Sequence, residues 1–267
     1  MARIKGPVKF EGRLGNIRSY WDSDTKQQIL STIPEGGKKA FKNRNSANRV
    51  KELNLEFTAV TIWTKLLRKG NNDLNYLKKG RLNGKLVSIG MGIQKMNTLD
   101  PRGHRRVESS KFNFPLIGFC MNNAHPFQNV CLANPEISVT EDRREVTVRL
   151  TNFISKSRLK WPERVMNYRV YVNIFELPDV EWDPVPRRFW PICPSESLGN
   201  KTAVSEWKLI KTDPIDFEIS ASFDAKYLSK EKAVVVVTMG FEFASGIQFD
   251  TPYIVKDHGT CAILGCF

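Results

Sequence analysis

The side chains able to carry out chemistry are few and scattered. His104, His125 and His258 lie in separate segments, none at the spacing of a metal-ligand pair. The five cysteines, Cys120, Cys131, Cys193, Cys261 and Cys266, form no C-x-x-C pair and read as buried thiols rather than metal ligands or disulfides. Cys261 and His258 supply the atoms of a thiol–imidazole pair, but in an apolar terminal run they read as strand residues. Asp22 and Asp24 lack the further oxygen donors of a calcium loop and read as a turn. The glycines of GRLGNI, residues 12–17, are not set between a strand and a helix, so they form no phosphate cradle, and no G-x-S-x-G or Walker-type motif occurs. These residues predict neither an enzyme nor a cofactor, metal or small-molecule substrate.

Charge offers a different chemistry. The formal charge of +13 is uneven: residues 1–112 hold 24 Lys and Arg against 9 Asp and Glu, whereas residues 113–267 hold 17 against 19. A basic part beside a near-neutral one can bind nucleic acid, or can dock on the acidic side of a neighbouring copy. The candidate anion or nucleic-acid contacts are Lys38, Lys39, Lys42 and Arg44 in a basic linker, and Arg105 and Arg106 beside His104.

Apolar and small residues supply candidate contacts between copies. Gly80, Gly84, Ser88 and Gly92 recur every fourth position. Each glycine costs about 1 kcal/mol of helix propensity relative to alanine, which close approach of another backbone would offset. The expected neighbour is either the preceding helix or a second copy, unless the glycines break the helix near Gly90 and leave a shorter one. The stretch 177–200 carries five prolines with Trp182, Phe189 and Trp190 beside Arg187 and Arg188. It reads as a stiff aromatic insertion that either meets a partner or packs on its own sheet. The C-terminal run GTCAILGCF would expose Ile263, Leu264 and Phe267 together if left in water. It is therefore expected as a strand, self-inserted or donated to a neighbour's sheet edge.

The elements that position these residues follow from periodicity. Residues 46–69 keep a helical period for more than five turns, with Val50, Leu53, Phe57, Val60 and Leu67 on one stripe widened by Ala59, Ile62, Trp63 and Leu66. Ser46 suits the N-cap, Gly70 the left-handed stop, and Lys65, Arg68 and Lys69 the negative end of the dipole. A second helical pattern spans about 73–99. Before them, residues 6–33 read as short strands around Gly15-Asn16 and Asp22-Ser23-Asp24. From 113 onward ten short β-like runs follow, among them PLIGFC, FQNVCLA and AVVVVTM, separated by Pro, Gly, Asn and Asp clusters. The expected fold is α+β: an N-terminal β-hairpin plus helical hairpin in residues 1–112, then an antiparallel β-sandwich in residues 113–267.

The order F-E-G-R-L-G-N-I-R-S-Y, an extended return, a basic segment, Arg49 to Phe57 in the long helix, and a late A-V-V-V-V-T-M-G-F with T-P-Y-I-V resembles a group of uncharacterised proteins from Gram-negative bacteria. The resemblance implies a glycine-turn hairpin, a helical middle and an immunoglobulin-like end, and carries no activity. The 177–200 insertion and the extended C-terminal tail depart from it. With 41% hydrophobic residues and no run near the roughly 18 apolar residues of a membrane span, a folded cytoplasmic protein is expected, in a virion or exported without a signal as further settings. The leading expectation is a non-enzymatic structural subunit of a homo-oligomeric filament, lattice or virion component; the alternative is a basic nucleic-acid-binding protein.

Overall fold

The structure is a computed structural model that describes residues 2–3, 10–22, 26–33, 46–161, 165–193, 198–224, 231–248, 251–255 and 258–267. It is a mixed α and β chain of open antiparallel sheets, in two compact units, Met1–Leu53 and Asn54–Phe267. The division expected near residue 112 is not where the units part. The helices after residue 54 share a hydrophobic core with the strands beyond 113, so that core crosses the basic connector.

In the first unit, β2 (Gly12–Leu14), β3 (Ile17–Asp22) and β4 (Gln27–Thr32) form an antiparallel meander, with the dipeptide β1 (Ala2–Arg3) paired to β4. Gly15 takes φ +57° in the predicted turn, a conformation that costs glycine little. Among the described residues of this unit the buried positions are polar. Ser19, Asp22 and Gln28 lie within, and Gln28 Nε2 donates to the Phe10 carbonyl and to Ser19 Oγ. Leu14, Ile17 and Trp21 are 68%, 42% and 49% exposed, and among the described residues none of this unit joins a hydrophobic core.

Helix α1 (Ser46–Gly70) has the predicted extent, but its buried stripe is rotated. Glu56, Ala59, Val60, Trp63 and Leu67 are fully buried, whereas Leu53 and Phe57 are exposed. Gly70 does not adopt a left-handed φ. Glycine is required because a Cβ there would fall 2.1 Å from the Phe175 ring, and Asn173 Nδ2 caps the Gly70 carbonyl at 2.9 Å. The second helical pattern divides into a 3-10 helix, Asn72–Leu77, and α2 (Leu82–Met96), because Gly80 takes φ +101° between them.

The glycine stripe therefore does not pack on α1. Gly80 lies outside the helix, Gly84 and Ser88 are exposed, and a Cβ at Gly84 or Gly92 would meet nothing within 4 Å. The glycine that meets α1 is Gly90, where a Cβ would lie 2.8 Å from Val60 Cγ1 and 2.9 Å from Trp63 Cε3. Gly90→Leu is expected to destabilise by about 1–3 kcal/mol through overpacking. Gly84→Ala should gain up to about 1 kcal/mol of helix propensity. Thermal melts of the two variants check this, and a Gly84→Ala protein that melts below its parent contradicts it.

The strands β5 (Glu136–Val139), β6 (Glu145–Phe153) and β12 (Ile215–Ser222) form a three-stranded sheet in the order β12-β6-β5. The larger sheet has β7 (Asn167–Pro178) beside β13 (Ala233–Gln248), with β10 (Asn200–Val204) and β11 (Lys208–Leu209) on β7. β14 (Thr251–Ile254) and β15 (Thr260–Cys266) both pair with β13. Alternation splits the large sheet between two cores. Val170, Val172, Val237 and Phe241 join Val146, Leu150 and Phe217 of the small sheet, while Tyr171, Phe175, Val236 and Ile263 join Val60, Trp63, Leu67 and Leu86 of the helices.

PLIGFC and FQNVCLA are not strands; they hold a 3-10 turn at Phe114–Leu116 and one helical turn at Phe127–Val130. The C-terminal run is self-inserted rather than donated: Ile263 is fully buried, Leu264 packs on the core shared with the small sheet, and Phe267 is 40% exposed. No helix among the described residues is long and apolar enough to cross a membrane.

Candidate interaction groove

The insertion 177–200 is built around a hairpin, β8 (Val180–Asp183) and β9 (Arg188–Pro191), with Trp182 opposite Phe189. Pro191 suits the end of β9, whose outer edge pairs with no further strand among the described residues. The hairpin is pinned at its base. Val107 and Val180 exchange backbone hydrogen bonds at 3.0 and 3.1 Å. Buried Asp179 accepts from the Ser110 N–H at 2.8 Å and from the Ser109 and Ser110 hydroxyls. Desolvation raises the Asp179 carboxyl above the usual range, and these bonds oppose that rise. Phe189 is buried, so that part of the insertion packs on its own chain. Trp182 lies between His104, stacked at 4.3 Å, and Phe189 at 5.1 Å. Trp190 remains 51% exposed, with the Arg188 guanidinium 4.5 Å over its ring.

Between this hairpin and α1 runs a groove of about 840 Å³. Leu55, Ile62 and Leu66 sit beside the rotated core stripe and form one wall, while Trp182, Phe189 and Trp190 form the other. Its cations are Lys65 and Lys69 from the last turns of α1 and Arg187 and Arg188 from the hairpin, and none of its described lining residues is acidic. A second depression of similar volume flanks α1 on its Phe57, Thr61 and Arg68 side, so Lys65, Arg68 and Lys69 form a basic ridge.

The two arginines expected to hold an anion are engaged internally. Arg105 forms a two-pronged pair with Glu56, Nε to Oε1 at 2.7 Å and Nη2 to Oε2 at 2.8 Å, and the Gly103 N–H adds a bond at 2.8 Å. Arg106 holds Asp100 at 2.7 and 2.9 Å and Glu181 at 3.1 Å. Its hydrogen bond keeps the Asp100 carboxyl at about 2. Neither guanidinium is left over for phosphate. Lys38, Lys39, Lys42 and Arg44 lie outside the described residues. Periodicity did not reveal the buried Glu56, because it only counts apolar residues; the signal available was a carboxylate on the helix face nearest Val60 and Trp63.

Elsewhere, several buried polar side chains bond to one another. Glu242, buried, accepts from Arg169 Nε at 2.6 Å and Tyr171 Oη at 2.9 Å. Burial pushes the Tyr171 phenol up to about 12 and raises the adjacent Tyr76 as well, so both stay neutral donors. The fold brings His125 and His258 within 4.9 Å, but among the described residues no group of three or more His, Cys, Asp or Glu side chains is placed to hold a metal ion. Cys261 is fully buried and desolvation pushes its thiol up to about 12, which removes its thiolate near neutral pH. Compared with known proteins, the chain matches no family model, no curated protein and no solved structure.

Proposed function

We propose that the chain is a non-enzymatic structural subunit that associates with other copies of itself, with its small and large sheets read as the two layers of a β-sandwich. The observation that carries this is the first unit's sheet, which presents Leu14, Ile17 and Trp21 to solvent while burying polar residues. A few strands without a hydrophobic face packed on something are marginally stable in water, so a cover on that face would contribute directly to folding. Charge supplies a second patch. The face of the sheet opposite Leu14, Ile17 and Trp21 is basic through the paired Arg13 and Arg18. The outward positions of β5, β6 and β12 carry Glu136, Glu145, Asp216 and Glu218 against Arg149. Joining two different patches in this way is a heterologous contact, which yields rings or open filaments.

Light scattering of purified protein free of nucleic acid tests the reading. The expected mass exceeds the monomer at both low and high salt, because apolar burial survives screening. A monodisperse monomer at both overturns it. The basic ridge of Lys65, Arg68 and Lys69 favours a second reading, nucleic-acid binding. That reading requires affinity for DNA or RNA to fall steeply with log salt.

A further inference from the structure

We propose that the groove between α1 and the β8–β9 hairpin is the docking site of an acidic amphipathic helix from a partner protein. Its walls are apolar over a length that a helix can fill. From Leu55 to Lys69 α1 rises about 21 Å at 1.5 Å per residue, roughly four turns. A helix laid in such a groove anchors through residues at i, i+3, i+4 and i+7. Trp190, exposed at the edge and held by Arg188, is the residue type on which binding energy concentrates once a partner excludes water around it.

The rim decides which helix. Lys65 and Lys69 line one side and Arg187 and Arg188 the other, with no carboxylate among the described lining residues. An occupant flanked by Asp and Glu gains complementary charge along both edges, whereas a basic or neutral helix leaves four cations partly desolvated. The same rim disfavours a second copy docking groove to groove, since a two-fold interface would set these cations against themselves. The site belongs wholly to the Asn54–Phe267 unit, whereas the association proposed above uses the sheet of residues 10–33, so each can fail without the other.

Fluorescence anisotropy on the full chain tests the proposal. The probe is a fluorescein-labelled peptide of roughly fourteen residues with leucines at i, i+3, i+4 and i+7 and glutamates between them. A scrambled peptide of equal composition, a lysine-for-glutamate peptide and a single-stranded oligonucleotide are run beside it. The glutamate peptide is expected to bind saturably, with the scrambled and lysine peptides at least roughly ten-fold weaker. Trp190→Ala and Arg188→Glu, both at exposed positions, should each weaken it by roughly ten-fold or more with unchanged circular dichroism and unchanged oligomeric mass. Equal binding of the ordered and scrambled peptides overturns the proposal. So does binding that ignores Arg188→Glu, or an oligonucleotide that displaces the peptide and is itself lost in the Trp190→Ala variant.

Discussion

A chain lacking residues 259–267 is expected to be unfolded rather than merely dissociated. β15 pairs with β13 from Thr260 opposite Phe241 to Cys266 opposite Val236, and Phe267 exchanges backbone bonds with Val235 at 2.8 and 3.0 Å. On its other side the Gly118 and Met121 N–H groups donate to the carbonyls of Ile263 and Cys261. The buried amide of Asn122 donates to the Gly259 and Leu77 carbonyls, tying three segments together. Cys261 and Ile263 fill the helix-side core and Ala262 the core shared with the small sheet. A fully buried side chain of Ile263's size contributes roughly 1.5–3 kcal/mol, and stripping the strand also leaves backbone groups of β13 and residues 118–121 unpaired. Against a total stability of about 5–15 kcal/mol the loss is decisive. Far-UV circular dichroism with a urea titration checks it; a cooperative transition in the truncated chain contradicts it.

Arg105→Met is expected to cost about 3–5 kcal/mol, because it removes the opposite charge and both guanidinium bonds from the fully buried Glu56 carboxylate. Replacing both partners with methionine should recover most of the loss, since apolar residues of similar volume can replace a buried ion pair at little cost. A double-mutant cycle from denaturant midpoints measures the coupling. A single-variant loss under about 1 kcal/mol would place Glu56 in a wetter setting than its burial implies.

The elements easiest to foresee were those whose pattern has one physical cause. The 46–70 helix has a strict period, Gly15-Asn16 has turn chemistry, and residues 145–150 and Ile215–Ser222 alternate because one face meets the core. PLIGFC and FQNVCLA were misread because a short apolar run buries equally well as a turn, a helix or a strand. The small-residue stripe misled for a geometric reason. Four residues turn an α-helix about 40° past a full circle, so Gly80 to Gly92 would spread over about 120° even in an unbroken helix. Arg105 looked like an anion site because its partner Glu56 lies 49 residues away, whereas Arg106 is held first by Asp100, six residues away, and then by Glu181, 75 away. The groove has no sequence signature of its own. Its walls come from Leu55 and Ile62 on α1 and Trp182 and Trp190 on the hairpin, joined only by the fold.

The most direct measurement is the mass of the wild-type chain by light scattering beside an Ile17→Ser, Trp21→Ser variant, both free of nucleic acid and matched in circular dichroism. Both positions are exposed, so the substitutions remove apolar surface without opening a core. The wild type is predicted to exceed the monomer mass at low and high salt and the variant to run as a monomer; equal masses for the two proteins would contradict the account.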